Sequence, residues 1–147
     1  MPDILHRIGI KSSVPEAAYR ALTTREGLSD WWTKDTQGEG GIGGVFAFRF
    51  GVGGFDMKVV ELEPAKRVMW EVVDGPDEWI GTNVIWDIKQ DGDYTVILFT
   101  HRGWREQVEF MHHCSTKWAA FLLSLKSLLE TGTGRPDPDD IKIDNWN

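Results

Sequence analysis

Changes in the period of the apolar positions mark the elements of this chain. Residues Leu5–Lys11 alternate apolar and polar and predict a first strand. Two short helices are expected next, over Pro15–Leu22 and Arg25–Trp32. Ser13 is the expected N-cap of the first, with Pro15 and Glu16 in its opening turn, and Thr23 or Thr24 that of the second. From Phe46 the period becomes two: Phe46, Phe48 and Phe50 share one face, with Ala47 and Arg49 on the other. Met57 and Val59 face together in a strand over Phe55–Glu63, as do Val68, Trp70 and Val72 in the next. A longer strand is expected over Trp79–Gln90, presenting Val84, Trp86 and Ile88. After an Asp91-Gly92 hairpin turn, Tyr94–Arg102 places Ile97, Phe99 and His101 on a single side. The helical period then returns, with Phe110, Cys114, Trp118, Phe121, Leu122, Leu125, Leu128 and Leu129 in one broad stripe that Gly132 closes as C-cap.

This order predicts an α+β helix-grip architecture: a curved antiparallel sheet of about six or seven strands wrapped around a long C-terminal helix, with two short helices after the first strand. The expected organisation is a domain over residues 1–132 and an acidic tail over 133–147, which Ile141, Ile143 and Trp146 allow to dock. Large sheets curl because strands twist, and one helix does not fill the hollow of a strongly curled sheet. A cavity between helix and sheet follows, and ligands settle in such places.

Composition sharpens that picture. Eight tryptophans in 147 residues supply either a coarse solid core or the walls of a pocket, and the topology favours the pocket. The expected lining is Trp32, Phe48, Met57, Val59, Trp70, Trp86, Phe99, His101, Trp118, Phe121 and Leu122. His101, inward by parity, needs hydrogen-bond partners there. It is either a satisfied core histidine or the polar anchor of a ligand.

Other chemistries fit less well. The glycine-rich run 37–44 lacks the Gly-Lys-Ser/Thr ending of a phosphate loop and follows no parallel strand. A net charge of -7 without a basic stripe argues against nucleic acid. His112, His113 and Cys114 are consecutive on a helix, where neighbours point about 100° apart and do not converge on one ion, so no metal and no cofactor is expected. A Cys114–His101 nucleophilic pair is disfavoured because Cys114 lies on the apolar stripe, where burial raises a thiol's pKa. Glu61 and Glu71 turn inward only if a bulge shifts the register. No catalytic residue is assigned. No apolar run is long enough for a signal peptide or a membrane span, and the single cysteine asks for no oxidising compartment, so the expected location is the cytoplasm.

Several of these pieces together resemble a known family. Val14-Pro15-Glu16 with Ala21-Leu22-Thr23, the Trp31-Trp32 pair, Gly43-Gly44-Val45-Phe46, Val60-Glu61-Leu62-Glu63-Pro64, Val68-Met69-Trp70, Thr95 through His101 with Gly103, and Trp118 leading into Leu122, Leu125 and Lys126 stand in the order of the START-like/Bet v-like (SRPBCC) superfamily. Within it the chain is similar to the activators of the heat-shock-protein-90 ATPase and their bacterial relatives, over about Leu5 to Gly132. Lys117 stands where members often have glycine, which bears on how closely the helix approaches the sheet, and the acidic tail is outside the shared pattern. The resemblance implies a partner among small hydrophobic molecules such as lipids, sterols or polyketides. As alternatives it implies a chaperone whose ATPase is promoted, or a cyclase- or hydrolase-like reaction in the same cavity.

Overall fold

The computed structural model describes all 147 residues. Its elements are β1 (Ile4–Lys11), α1 (Pro15–Thr23), α2 (Arg25–Trp31), β2 (Thr36–Gly38), β3 (Val45–Phe50), β4 (Gly53–Glu63), β5 (Arg67–Asp74), β6 (Asn83–Asp91), β7 (Tyr94–Arg102) and α3 (Glu109–Thr131). The strands form one antiparallel sheet in the order β1-β7-β6-β5-β4-β3-β2. Long α3 lies in the grip of this curved sheet, as the helix-grip reading requires.

Local chemistry explains the boundaries. Pro15 opens α1, where its missing N–H costs nothing, but the N-cap is Val14 rather than Ser13 and makes no side-chain cap. Thr24 caps α2, its Oγ1 accepting from the Gly27 N–H at 3.0 Å. Gly132 ends α3 in the left-handed conformation at φ 86, its N–H donating to Leu128 O at 2.9 Å.

Strand parity is as the alternation predicts, with Phe46, Phe48, Met57, Val59, Val68, Trp70, Val84, Trp86, Ile97, Phe99 and His101 all buried. A register shift between Val59 and Glu61 leaves Val60 as the extra residue of a bulge in β4. Beyond it Leu62 packs on the core, while Glu61 pairs with Arg67 at 3.3 Å beside Asp87. This reverses the expectation for Glu61: with Met57 and Val59 inward, unbroken alternation would put Glu61 on the core face, and the bulge turns it outward instead.

Two expectations need correction. The short edge strand β2 lies where only loop was expected. And β6 begins at Asn83, not Trp79: residues 76–82 fold into a turn in which Trp79 and Ile80 both bond back to Pro76 O and the Gly81 N–H reaches Val72 O. That turn carries Trp79 inward.

Residues 133–147 form no helix or strand but pack closely. Asp137 N donates to Trp32 O at 2.8 Å, and Arg135 N donates to Ser124 Oγ, whose own proton goes to Trp31 O. At Gly134 an added Cβ would lie 2.3 Å from Asp30 O, so the tail approaches α2 as only glycine permits.

Candidate ligand-binding cleft

The aromatic interior is packed at one end and open at the other. At the packed end Trp31 stacks on Trp32 at 5.5 Å and meets Trp86 edge-on at 5.7 Å, while Trp70 meets Trp86 at 5.5 Å. Of the residues expected to line a cavity, Phe48, Met57, Val59, Trp70, Trp86, Phe99 and Leu122 belong to this plug, none more than 1% exposed. Close packing leaves no room for a guest among them.

The open end holds a cleft of about 540 Å³ between the β3–β4 turn, the residue 76–82 turn, the first half of α3 and the tail. Its apolar walls are Trp32, Phe50, Phe55, Trp79, Trp118 and Phe121. Only Trp32, Trp118 and Phe121 belong to the set anticipated from the sequence. Phe50 was legible by parity with Phe46 and Phe48; Trp79 was not, because the turn that inserts it is made by contacts with β5.

His101 lies behind this wall, fully buried, and its tautomer follows from its partners. The Trp118 indole N–H donates to Nδ1 at 3.2 Å, so Nδ1 is an acceptor and Nε2 carries the proton. Nε2 then donates to Thr82 Oγ1 at 2.8 Å, and the Thr82 hydroxyl donates to Trp79 O at 2.6 Å. One directed chain thus runs from Trp118 through His101 and Thr82 to Trp79, fixing two walls of the cleft. Burial pushes the His101 pKa down to about 3, so the ring is neutral. Both nitrogens are committed, and the ring does not face the cleft.

Cys114 lies on the floor. Burial pushes its thiol up to about 12; proximity to the Trp79 indole lowers it less, and Glu78 adds to the rise. The Trp79 N–H faces this sulfur without a well-formed hydrogen bond to any oxygen. His112 is exposed and His113 bonds the tail, so the three consecutive residues diverge as helical spacing requires.

The rim is polar. The Lys117 ammonium, its side chain 11% exposed, ion-pairs with Asp140, donates to Ile141 O at 2.7 Å and reaches Asn147 O at 3.3 Å. Burial would raise the Asp140 pKa, but Lys117 and Lys142 outweigh it and hold the carboxyl below its usual value. His113 Nδ1 and Asp144 Oδ2 are 2.7 Å apart; that bond, opposed by slight desolvation and aided by the N–H groups of Trp146 and Asn147, lowers the Asp144 pKa. Trp146 and Asn147 complete the lining.

A family profile, described as Activator of Hsp90 ATPase homolog 1-like protein, matches residues 12–130. The chain belongs to this family. The Aha1 dimer from Colwellia psychrerythraea, solved in solution, is 47% identical over 91% of this chain and 100% of its own, with a TM-score of 0.85. Two crystal structures share the fold alone: SSP2350 from Staphylococcus saprophyticus (16% identity, 90% of this chain and 95% of its own, TM-score 0.75) and MLL2253 from Mesorhizobium loti (21%, 87% and 96%, 0.76). No functionally curated protein matches the chain. The Activator of Hsp90 ATPase homolog 1-like match stops at residue 130, so the tail that Lys117 holds lies outside the family pattern. No helix is long and apolar enough to cross a membrane.

Proposed function

We propose that this chain binds a small hydrophobic or aromatic molecule in the cleft at the open end of its aromatic interior. One observation carries the reading: indole and phenyl rings that elsewhere pack to zero exposure here surround about 540 Å³ of space. That volume is in the range of small-molecule sites, and the walls combine apolar faces with a few polar groups at the rim. His101 acts as a positioning residue, holding Trp118 and the Trp79 turn. A neutral imidazole with both nitrogens bonded and a thiol near 12 favour binding over acid–base chemistry at these residues.

The test is a titration with neutral N-phenyl-1-naphthylamine, whose emission rises in apolar sites. Saturable binding is expected. Phe50→Asp, which places a charge on the wall, is expected to weaken it by at least about tenfold, while Leu123→Asp on the exposed face of α3 leaves it unchanged. Absence of binding, or equal binding to the Phe50→Asp variant, overturns the reading.

Family membership supports a second reading, in which the chain docks on an Hsp90 chaperone and raises its ATPase rate. Stimulation of the chaperone from the same organism by added protein is its expected result. An unchanged rate at excess protein removes it.

A further inference from the structure

The walls of the cleft are aromatic and its border is acidic. Phe55, Trp79, Trp118 and Trp32 contact one another in a closed circuit, with centroids 4.5, 5.9, 5.0 and 5.3 Å apart in that order, and all four line the cleft. The faces of such rings are electronegative and attract cations. The protein already uses the wall in this way: the Lys117 ammonium lies 5.3 Å from the ring centroid of Phe121, on the same lining.

Charge points in the same direction. The bordering segments, residues 50–55, 76–82, 109–121 and 133–147, together carry seven acidic residues against three basic ones. Of the seven, only Asp139 draws a basic partner from elsewhere, Lys34 at 2.9 Å. Lys117 and Lys142 both pair with Asp140. Glu78, on the lining, enters no ion pair. Its field reaches inward: burial is what chiefly pushes the Cys114 thiol up, and the Glu78 charge adds to that rise on the cleft floor. A field that opposes a thiolate there favours a positive charge.

Resting on the binding role proposed above, we propose that the ligand is a hydrophobic cation, an amine or quaternary ammonium group carried on an apolar body. The apolar body lies along the indole and phenyl walls, and the positive group lies against ring faces beside the Glu78 carboxylate. Lys117 does not repel it strongly, because Asp140 already balances that ammonium. Glu78 is exposed and hydrated, so its pull is modest and the aromatic faces supply the rest of the preference.

The experiment displaces N-phenyl-1-naphthylamine from the full chain with trimethyl(2-naphthylmethyl)ammonium and with 2-neopentylnaphthalene, in which carbon replaces the charged nitrogen. The two share shape, and the neutral compound is the more hydrophobic, so an apolar site indifferent to charge prefers it. On the unaltered protein the cation is expected to compete at concentrations at least about threefold lower. Glu78→Gln, at an exposed position, is expected to cut that ratio to about half or less. The ratio is taken within each protein, so a general change in affinity drops out of it. Equal or stronger competition by the neutral compound on the unaltered protein overturns this inference and leaves the cleft reading standing, and so does a ratio that Glu78→Gln does not move. Failure of the unaltered protein to bind the neutral probe overturns the cleft reading and this inference with it.

Discussion

At the α2 end of the interior the rings are packed without a gap, with Trp31 edge-on to Trp86 at 5.7 Å and Phe48 against Trp70 at 5.8 Å. At the far end Trp79 stacks on Trp118 at 5.9 Å, and beyond the pair is open space. Residue type does not explain the contrast, since both ends are built of indoles and phenyls. Coverage does. Helices α1 and α2 lie over the packed end and add the buried Ala18, Ala21, Leu22, Leu28 and Trp31 to its layer. Beyond Trp32 that layer runs out, and the open end is roofed only by the residue 76–82 turn, the start of α3 and the tail. A binding site in this fold arises where the helical layer stops.

The sharpest test of that contrast is truncation at each end. Trp86→Ala is expected to cost about 3–5 kcal/mol in urea unfolding, because its neighbours cannot collapse into the void. Phe50→Ala, at the half-exposed wall of the cleft, is expected to cost less than about half as much. Equal losses would mean that the two ends are packed alike.

The second test is acid. Above its ordinary pKa of 6.5, His101 is neutral whether the chain is folded or not, and it makes stability no function of pH. Below 6.5 the unfolded chain takes up a proton that the folded chain, with a pKa of about 3, refuses, so stability falls as pH drops through that window. Between pH 6.5 and 5 the loss approaches about 2 kcal/mol, at about 1.36 kcal/mol per pH unit. His101→Gln is expected to flatten this part of the profile, at the cost of lower stability at neutral pH. A slope unchanged in the variant would place the acid sensitivity elsewhere.

The smallest effect belongs to the tail. Asp144→Asn is expected to lower the urea midpoint only slightly, because Asp144 is on the exposed side of its bond to His113. A large fall would make the His113–Asp144 contact part of what holds the fold rather than a surface attachment of the tail.

Much of this architecture was legible in the sequence, and the reasons are local. The alternation around Phe46–Phe50 and Tyr94–Arg102 and the long stripe from Phe110 to Leu129 are signals that burial imposes directly on a strand or a helix. Thr36-Gln37-Gly38 has no apolar alternation, so β2 could not be seen: it exists because Phe48, Ala47 and Phe46 offer it a partner. Extrapolating the parity of Val84, Trp86 and Ile88 puts Trp79 on the outer face, and only the bond from Gly81 to β5 shows the turn that carries it inward. The site suffered most. Parity tells which face of the sheet a side chain takes but not how far along the strand the helical layer extends. Trp70 and Trp86 were therefore indistinguishable from cleft walls. Lys117 and the acidic tail each stood out as a departure from the family pattern; that they answer one another emerges only once the helix and the tail lie side by side.

The rims of the sheet hold one further consequence. The outer edge of β1 is taken up by α3, whose Lys126 donates to Gly9 O while Glu130 accepts from the Lys11 N–H at 2.8 Å. The opposite rim, β2, is three residues long and ends in a glycine. A stray extended peptide thus finds no continuous row of free amides and carbonyls to zip onto, which protects a strand-rich, tryptophan-rich chain from runaway self-templating.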